Sequence, residues 1–425
     1  MEIEQLKNEA DKSCEQLELL TTILQEFTVT LDIAATLQHV TNLVKKYLDA
    51  EGVSLFLLEN NDQELVCKIS SSDKDISGLR FDAKAGIAGR SLREKKTQLV
   101  TDAANDPDFY KGVDKQSGAT THSILCAPLL LKDGQIGVLE AVNKNSENGL
   151  FDGHDKNLLT ILANTAAMAI HNSRMADDLV FQERTRRELE LAREIQSALL
   201  PDNTGSLPIY GVNIPARMVS GDFYDYFALE DGRICFGIGD VAGKGINAAL
   251  LMAKTTSLFR CLGKQVAAPG ALLSIINQEL CANSTRGLFV TMVAGIYDPL
   301  NKRVTVVNAG HHDPLFLDSN GDMHSQTNGS VPLGIVPEAE FNEYQIDLQG
   351  GDLYIFTDGL SECWFERDQQ LGDEGVKQVI KQFAGITAED RLQHIVEYIT
   401  QWKREHTGYL YDDVTMLLIE SSSGS

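Results

Sequence analysis

Four aspartates in the second half of the chain lie where apolar, strand-like runs end, so each carboxylate is expected to project from a strand end or a turn. They stand in the phrases Gly221-Asp222-Phe223-Tyr224-Asp225, Asp240-Val241-Ala242-Gly243-Lys244-Gly245, Thr357-Asp358-Gly359 and Tyr411-Asp412-Asp413-Val414-Thr415. Oxygen ligands gathered from distant points of a sequence are what Mg²⁺ or Mn²⁺ requires. Two such ions about 4 Å apart can bind a bridging water, lower its pKa and orient it toward phosphorus. The set therefore predicts a metal-dependent phosphatase.

The composition of the chain narrows the class of protein. Its 425 residues predict two or three domains. A formal charge of −24 argues against nucleic acid and anionic membranes as partners, because the summed field repels both. The seven cysteines are scattered without a CxxC spacing, which predicts reduced thiols. No apolar stretch has the length of a signal-peptide core or a membrane span, so we expect a cytoplasmic protein.

The predicted secondary structure of the first half begins with a helix. Apolar residues at three- and four-residue spacing predict it over about residues 4–28. Strand patterns follow at 53–58, 65–69, 123–131 and 136–142, with an Asp-Gly hairpin turn at 132–135. The first half is therefore predicted to be an α+β module with an antiparallel sheet.

A long helical stretch connects the two halves. It is predicted over about residues 153–200, with one break allowed, and Pro201 ends it. Its second part, 182–194, is heavily charged and carries a thin apolar stripe that continues through Leu189 and Ile195. Such a stripe indicates a parallel coiled-coil linker, and the alternative is a single amphipathic helix packed on its own domain.

Strand patterns return between Tyr210 and Glu420, interrupted by helices. Runs of strand broken by pairs of helices predict sheets covered by helices, an α+β sandwich. The helices are predicted at 246–262, 269–282, 374–383 and 388–404, and the strands at 233–238, 289–297, 303–308, 353–357 and 414–419.

In this order and spacing, the motifs of the second half closely resemble the PPM family of metal-dependent serine/threonine phosphatases. The resemblance covers residues 194–420 and is to the bacterial branch typified by the stage II sporulation and stress-sigma regulator phosphatases. It implies an α-β-β-α sandwich. The residues that carry it are Glu194–Pro201, Ser220–Phe227, Asp240–Met252 and Asn308–Pro314.

The resemblance also implies the roles of the acidic residues. Asp240 is implied to bridge two Mn²⁺ or Mg²⁺ ions, and Asp413 is implied to support a ligand or to serve as an alternative one. His311 and His312 are expected to shape the strand and turn beneath the site, and the alternative is a general-acid role. The candidate catalytic residues are Asp222, Asp240, Asp358 and Asp412, and the candidate metal ligands are these four with the Val241 carbonyl and Asp413.

The first module resembles a GAF domain over about residues 20–172, on the residues Gly86–Gly89, Asp106–Phe109, Ser123–Pro128 and Ile136–Val138. Asn143, Lys144, Phe151 and Asp155 resemble the signature of cyclic-nucleotide-binding GAF domains, in which the Lys and the Asp latch the pocket without contacting the nucleotide. The chain departs from that signature at Lys156, where Glu is expected. A cyclic nucleotide is the implied effector, and the alternatives are another small ligand or a ligand-free dimerisation role.

The combined prediction has four segments: an N-terminal helix (1–19), a GAF sensor (20–172), a helical linker (173–201) and a phosphatase domain (202–421). We expect a homodimer in which the sensor controls removal of phosphate from serine or threonine of a small regulatory protein. The resemblance implies a STAS-type anti-sigma-factor antagonist as that partner. The alternative functions are a catalytically weak ligand-binding scaffold and a two-metal cyclic-nucleotide phosphodiesterase.

Overall fold

The chain forms two compact units, Met1–Glu183 and Arg184–Ser425. The helix predicted over 4–28, and with it the segment 1–19, lies outside the described residues. Within the described part, no helix is both long and apolar enough to cross a bilayer. The computed structural model describes residues 33–72, 76–146, 148–202, 206–266, 268–282, 287–326, 329–366, 369–406 and 412–421.

The first unit is built on one six-stranded sheet in which every neighbouring pair is antiparallel. Its strands are β1 (Ala50–Glu59), β2 (Glu64–Ser70), β3 (Arg80–Asp82), β4 (Gln98–Val100), β5 (Ile124–Leu131) and β6 (Gly134–Lys144). Their order across the sheet is β3-β2-β1-β6-β5-β4. The predicted antiparallel module is confirmed.

Helices cover both faces of this sheet. Alternate residues of β1 point to opposite faces, so Leu55 and Phe56 belong to different cores. Leu159 packs in the core of Leu55, and Ile87 packs in the core of Phe56. The helices of the unit are α1 (Ile33–Tyr47), α2 (Gly86–Glu94), α3 (Gly112–Ser117) and the first part of α4 (Gly153–Ser197), with a 3-10 turn at Ala103–Asn105.

Helix α4 begins in the first unit and ends in the second. It is continuous over 45 residues, so the break allowed by the sequence prediction does not occur. The continuity follows from the absence of proline and internal glycine between Gly153 and Pro201.

The second unit contains two sheets. One consists of β8 (Phe223–Ala228), β9 (Ile234–Val241), β10 (Val290–Asp298), β11 (Arg303–Ala309), β14 (Gly329–Ser330) and β15 (Tyr344–Asp347). The other consists of β7 (Ile209–Ile214), β12 (Leu315–Leu317), β13 (Met323–Ser325), β16 (Asp352–Phe356) and β19 (Val414–Glu420). A separate hairpin is formed by β17 (Trp364–Glu366) and β18 (Gln369–Gln370).

The two sheets pack face to face, with helices on the outside. Ile238 and Val293 of the first sheet share a core with Ile355 and Leu417 of the second. Helices α5 (Ile246–Leu262) and α6 (Pro269–Ala282) pack against the outer face of the first sheet. Helices α8 (Gly372–Gln382) and α9 (Ala388–His406) cover the second sheet, and the short α7 (Asp358–Ser361) follows β16. The predicted α-β-β-α sandwich is confirmed.

Candidate active site

The end of β16 and the start of β19 hold Asp222 in place. The two strands are antiparallel neighbours, so Thr357 and Thr415 lie side by side. The Thr357 hydroxyl accepts a hydrogen bond from the Thr415 amide at 3.0 Å and donates one to Oδ2 of Asp222 at 2.6 Å. Asp222 is 2% exposed and Thr357 is fully buried. A buried carboxylate with a fixed donor keeps one orientation.

Asp413 fixes the loop that leads into Asp222. Its Oδ2 accepts hydrogen bonds from the Gly221 amide at 2.8 Å and the Ser220 hydroxyl at 3.0 Å. Its Oδ1 accepts a third from the Ala216 amide at 2.8 Å. Both oxygens of Asp413 are thus engaged by the protein's own donors, which favours the supporting role over the ligand role.

Asp240 and Val241 form the end of β9, beside this loop. Asp240 is paired with Thr291 of β10 in the sheet, which fixes its backbone. A Cβ atom on Gly221 would lie 3.3 Å from the Val241 carbonyl oxygen and 3.8 Å from Oδ1 of Asp240. Glycine at 221 therefore keeps the carbonyl and the carboxylate open to the same space.

Asp358 and Asp412 are brought together by a close backbone contact. Gly359, which follows Asp358, passes so near the next loop that a Cβ atom there would lie 1.8 Å from the Asp413 carbonyl oxygen. Only glycine permits this approach. Asp412 forms an ion pair with Lys244, with 2.8 Å between Oδ2 and Nζ, and the Lys244 side chain is 43% exposed.

The gathered carboxylates raise one another's pKa. Burial raises the pKa of Asp222 well above its usual range, and the charge of Asp240 raises it further. Burial and the charge of Asp358 raise the pKa of Asp240 to about 6. Burial and the charge of Asp412 likewise raise the pKa of Asp358. Like charges buried together are unfavourable unless cations offset them.

The donor set has the chemistry that divalent ions require. Carboxylate oxygens and one backbone carbonyl are hard ligands suited to Mg²⁺ or Mn²⁺. In the part of the chain that the structure describes, no three His, Cys, Asp or Glu side chains converge closely enough to hold an ion as they are placed. A bound ion would therefore require side chains other than the anchored Asp222 to rotate until the set closes around it, and the cation would favour this closure because it would relieve the mutual repulsion.

Asp225 and His311 are each held by a neighbouring side chain. Asp225, on β8, is fully buried and accepts a hydrogen bond from Nε of Arg260 at 2.8 Å. His311 lies with its Nδ1 2.9 Å from the Thr291 hydroxyl. Burial lowers the pKa of His311 to about 3, so its imidazole is neutral and unsuited to act as a general acid near neutral pH. A structural role is favoured for both.

Gln196, in the last turn of α4, lies in the motif Glu194–Pro201, but the sequence analysis gave it no role. Its Nε2 donates to the carbonyl oxygens of Ser220 at 3.0 Å and Ala249 at 3.3 Å, and its Oε1 accepts from the Ser220 amide at 3.1 Å. The Ser220 hydroxyl in turn accepts from the Asp222 amide at 3.0 Å. The end of the long helix is therefore bonded to the loop that carries Asp222. The sequence signal for such a role is a polar residue inside the apolar stripe of α4, between Ile195 and Leu199.

The four predicted effector-binding residues of the first unit divide into two groups. Lys144 forms an ion pair with Asp155, and its Nζ lies 5.9 Å from the centre of the Phe151 ring. These three tie the end of β6 to the start of α4. Asn143 instead borders a cavity in the unit, and its Oδ1 accepts a 2.7 Å hydrogen bond from the His122 amide.

Comparison with known families agrees with this geometry. Residues 230–422 match the family described as stage II sporulation protein E (SpoIIE), and residues 30–171 match the GAF domain. The chain combines a GAF domain with a SpoIIE domain. The SpoIIE match contains Asp240, Asp358, Asp412 and Asp413, and the GAF match contains the cavity.

Proteins of known sequence or structure are similar to parts of this chain. Protein IcfG of Synechocystis sp. (strain ATCC 27184 / PCC 6803 / Kazusa) is 27% identical over 270 residues, which are 55% of this chain and 41% of IcfG. Phosphoserine phosphatase RsbU of Bacillus subtilis (strain 168) is 27% identical over 244 residues, 56% of this chain and 71% of RsbU. The solved SiaA-PP2C domain of Pseudomonas aeruginosa has a TM-score of 0.50 at 20% identity, covering 56% of this chain and 98% of that domain. That likeness supports the fold of the SpoIIE domain.

Proposed function

We propose that the chain is a metal-dependent protein phosphatase in which the GAF domain regulates a SpoIIE domain that hydrolyses phosphoserine or phosphothreonine. The observation that carries the proposal is the gathering of the Asp222, Asp240, Asp358 and Asp412 side chains from four separate strand ends. The raised pKa values of Asp222, Asp240 and Asp358 mark a site of concentrated negative charge, as cation binding requires. The similarity to a phosphoserine phosphatase supports the reaction class.

Each residue of the site has a defined task in this proposal. The four aspartates and the Val241 carbonyl would hold two Mn²⁺ or Mg²⁺ ions, which supply Lewis acidity and lower the pKa of an attacking water. Thr357 keeps Asp222 oriented through its 2.6 Å hydrogen bond. Gly221 keeps the space between Asp240 and Val241 open. Lys244, at the exposed rim, lies where it can attract the phosphate dianion.

The proposed substrate is a phosphorylated STAS-type regulatory protein, as the sequence resemblance implies. The assay compares phosphoserine, phosphothreonine and phosphotyrosine peptides with bis(p-nitrophenyl) phosphate, a diester, at saturating Mn²⁺. We expect hydrolysis of the phosphoserine and phosphothreonine peptides and no hydrolysis of the diester.

The variant Asp358→Asn tests the assignment of this activity to the site. We expect it to lose hydrolysis of the phosphoserine peptide and to retain the fold, because a ligand is removed without changing side-chain volume. The matched control is Asp231→Asn in the exposed β8–β9 turn, which should keep wild-type activity. Diester hydrolysis without phosphopeptide hydrolysis would favour the phosphodiesterase alternative, and no turnover with Mn²⁺ bound would favour the scaffold.

We also propose that the chain acts as a homodimer through α4. Its first half exposes Ile161, Met168 and Met175 at seven-residue spacing, with 46%, 63% and 51% of each residue accessible. Its second half exposes Ile195 at 60%. A seven-residue apolar repeat on one helix is typical of a coiled-coil seam. The proposed linker segment, 173–201, begins within this helix and extends four residues past its end at Ser197.

The proposed route of regulation runs through Gln196. A change in the packing of α4 would move its last turn, and the bonds from Gln196 to Ser220 would carry that movement to Asp222. The proposed effector binds in the cavity of the GAF domain. A cyclic nucleotide and another small ligand are the two candidates for that effector.

A further inference from the structure

The GAF domain encloses a cavity of about 210 Å³ that the proposed phosphatase reaction does not use. A designed apolar cavity of about 150 Å³ holds benzene, so this one has room for a single ring with a short arm. Phe81 and Tyr110 stack at its side with ring centres 5.7 Å apart. The N-terminal turn of α2, at Gly86–Ala88, forms another part of the wall.

The charged residues in the described lining are all acidic. Glu51, Asp114 and Glu140 border the cavity, and no lysine or arginine does so among the described residues. Glu51 accepts a 2.6 Å hydrogen bond from Asn143, and Asp114 accepts a 2.7 Å bond from the Thr121 hydroxyl. These neutral donors orient the carboxylates but leave their negative charge in place.

Glu140 differs from Glu51 and Asp114 in the group that hydrogen-bonds to its carboxyl. It stands on β6 opposite Cys126 of β5, and that weakly donating thiol is the hydrogen-bonding group that acts on its carboxyl. Burial raises the pKa of Glu140 to about 7, and the charge of Asp114 adds to the effect. A desolvated, half-buried carboxylate without a cation costs stability, and a neutral side chain of the same size would avoid that cost. A ligand that brings a positive charge would offset it.

We propose that this cavity binds a small organic cation, with an ammonium group against Glu140 and a flat or apolar body against Phe81 and Tyr110. Carboxylates combined with aromatic faces form a recurrent site for organic cations. The amides at the start of α2 carry a partial positive charge, about half a unit, which does not offset three carboxylates. A cyclic nucleotide would place its phosphate anion among these acidic groups. The inference rests on the proposed sensor role of the GAF domain.

The test is calorimetric titration of the full chain at neutral pH with four probes. Benzylamine carries the cation, benzyl alcohol is its neutral analogue, benzoate is an anion of similar size, and cyclic AMP represents the nucleotide alternative. We expect saturable binding of benzylamine, weaker binding of benzyl alcohol, and none of benzoate or cyclic AMP. In Glu140→Gln, the affinity for benzylamine should fall about tenfold or more.

Asp133→Asn, in the exposed β5–β6 turn, is the charge-matched control and should bind benzylamine as the wild type does. Circular dichroism checks the fold of Glu140→Gln, which is expected to remain intact because a half-buried charge has been removed. The proposal is overturned if benzylamine does not bind at millimolar concentration, if benzoate or cyclic AMP binds more tightly, or if Glu140→Gln binds benzylamine unchanged. Binding is measured without phosphatase turnover, so loss of the cation site and loss of the proposed activity are separate results.

Discussion

The Thr357 hydroxyl donates a 2.6 Å hydrogen bond to the Asp222 carboxylate across 135 residues of sequence. Both side chains are buried, and the bond joins the two sheets of the SpoIIE domain at the edge where the aspartates gather. Asp222 therefore cannot change orientation without leaving a buried polar group unpaired, which is costly. The interaction fixes one proposed ligand before any ion binds.

Replacing Thr357 with valine should weaken the site without unfolding the domain. Valine keeps the shape of threonine but cannot donate a hydrogen bond, so Asp222 loses its anchor. We expect metal affinity or activity to fall about 10–100-fold, the usual effect of losing a group that orients a ligand. The measurement is the Mn²⁺ concentration that gives half-maximal hydrolysis. Thr357→Ser retains the hydroxyl and should recover most of the activity.

The variant Gln196→Leu tests the connection between the long helix and the Asp222 loop. It leaves the Ser220 amide and two carbonyl oxygens without their partner. We expect a higher Mn²⁺ requirement and loss of any response to GAF ligands. Ser197→Ala changes the next, exposed residue of the helix and should behave as the wild type does. An unchanged Mn²⁺ requirement and an unchanged ligand response in Gln196→Leu would exclude this route.

Replacing Leu189 and Ile195 together with glutamine should dissociate the proposed dimer. Both lie in the apolar stripe of α4, and Ile195 is 60% exposed. Light scattering should show a dimer for the wild type and a monomer for the double variant at micromolar concentration. Leu300→Gln, at a 92% exposed turn position, controls for loss of surface apolar area. A monomeric wild-type chain would contradict the proposal.

The raised pKa of Glu140 predicts that the stability of the GAF domain depends on pH. Its folded-state pKa of about 7 exceeds the ordinary value of 4.5, so the folded state binds more protons between these two pH values. Stability should therefore fall as pH rises from about 5 to 7, by roughly 2–3 kcal/mol from this group. Glu140→Gln should lack that component. Calorimetric unfolding of both chains at pH 5 and pH 8 measures the difference, and parallel pH profiles would rule it out.

Part of this structure could be predicted from the sequence because its signals are local. Helices 246–262 and 269–282 have the predicted bounds, since their apolar periodicity and the glycine and proline residues beside them act locally. The pattern missed β8, whose tyrosines and Asp225 interrupt the alternation that marks a strand. Asp225 is accommodated in that buried strand by Arg260, a partner 35 residues away that no local pattern indicates.

At the candidate site too, local sequence patterns do not indicate distant partners. The motifs predicted the candidate aspartates and a supporting role for Asp413, but they gave no role to Thr357 or Gln196, which orient Asp222 and its loop. Thr357 bonds to Asp222, which lies 135 positions earlier in the sequence, and Gln196 bonds to Ser220, which lies 24 positions later. Only the folded chain brings these pairs together. The acidic lining of the GAF cavity was also hidden, because Glu51, Asp114 and Glu140 belong to three separate elements.

Hydrolysis of p-nitrophenyl phosphate by Asp240→Asn at saturating Mn²⁺ tests the two-ion site most directly. Asp240 is the proposed bridge between the ions, and asparagine keeps its volume while removing its charge. We predict a loss of at least about 100-fold in kcat with an unchanged circular dichroism spectrum. The variant should also be more stable than the wild type in EDTA, because repulsion from Asp358 is relieved. Wild-type activity in Asp240→Asn would contradict the assignment.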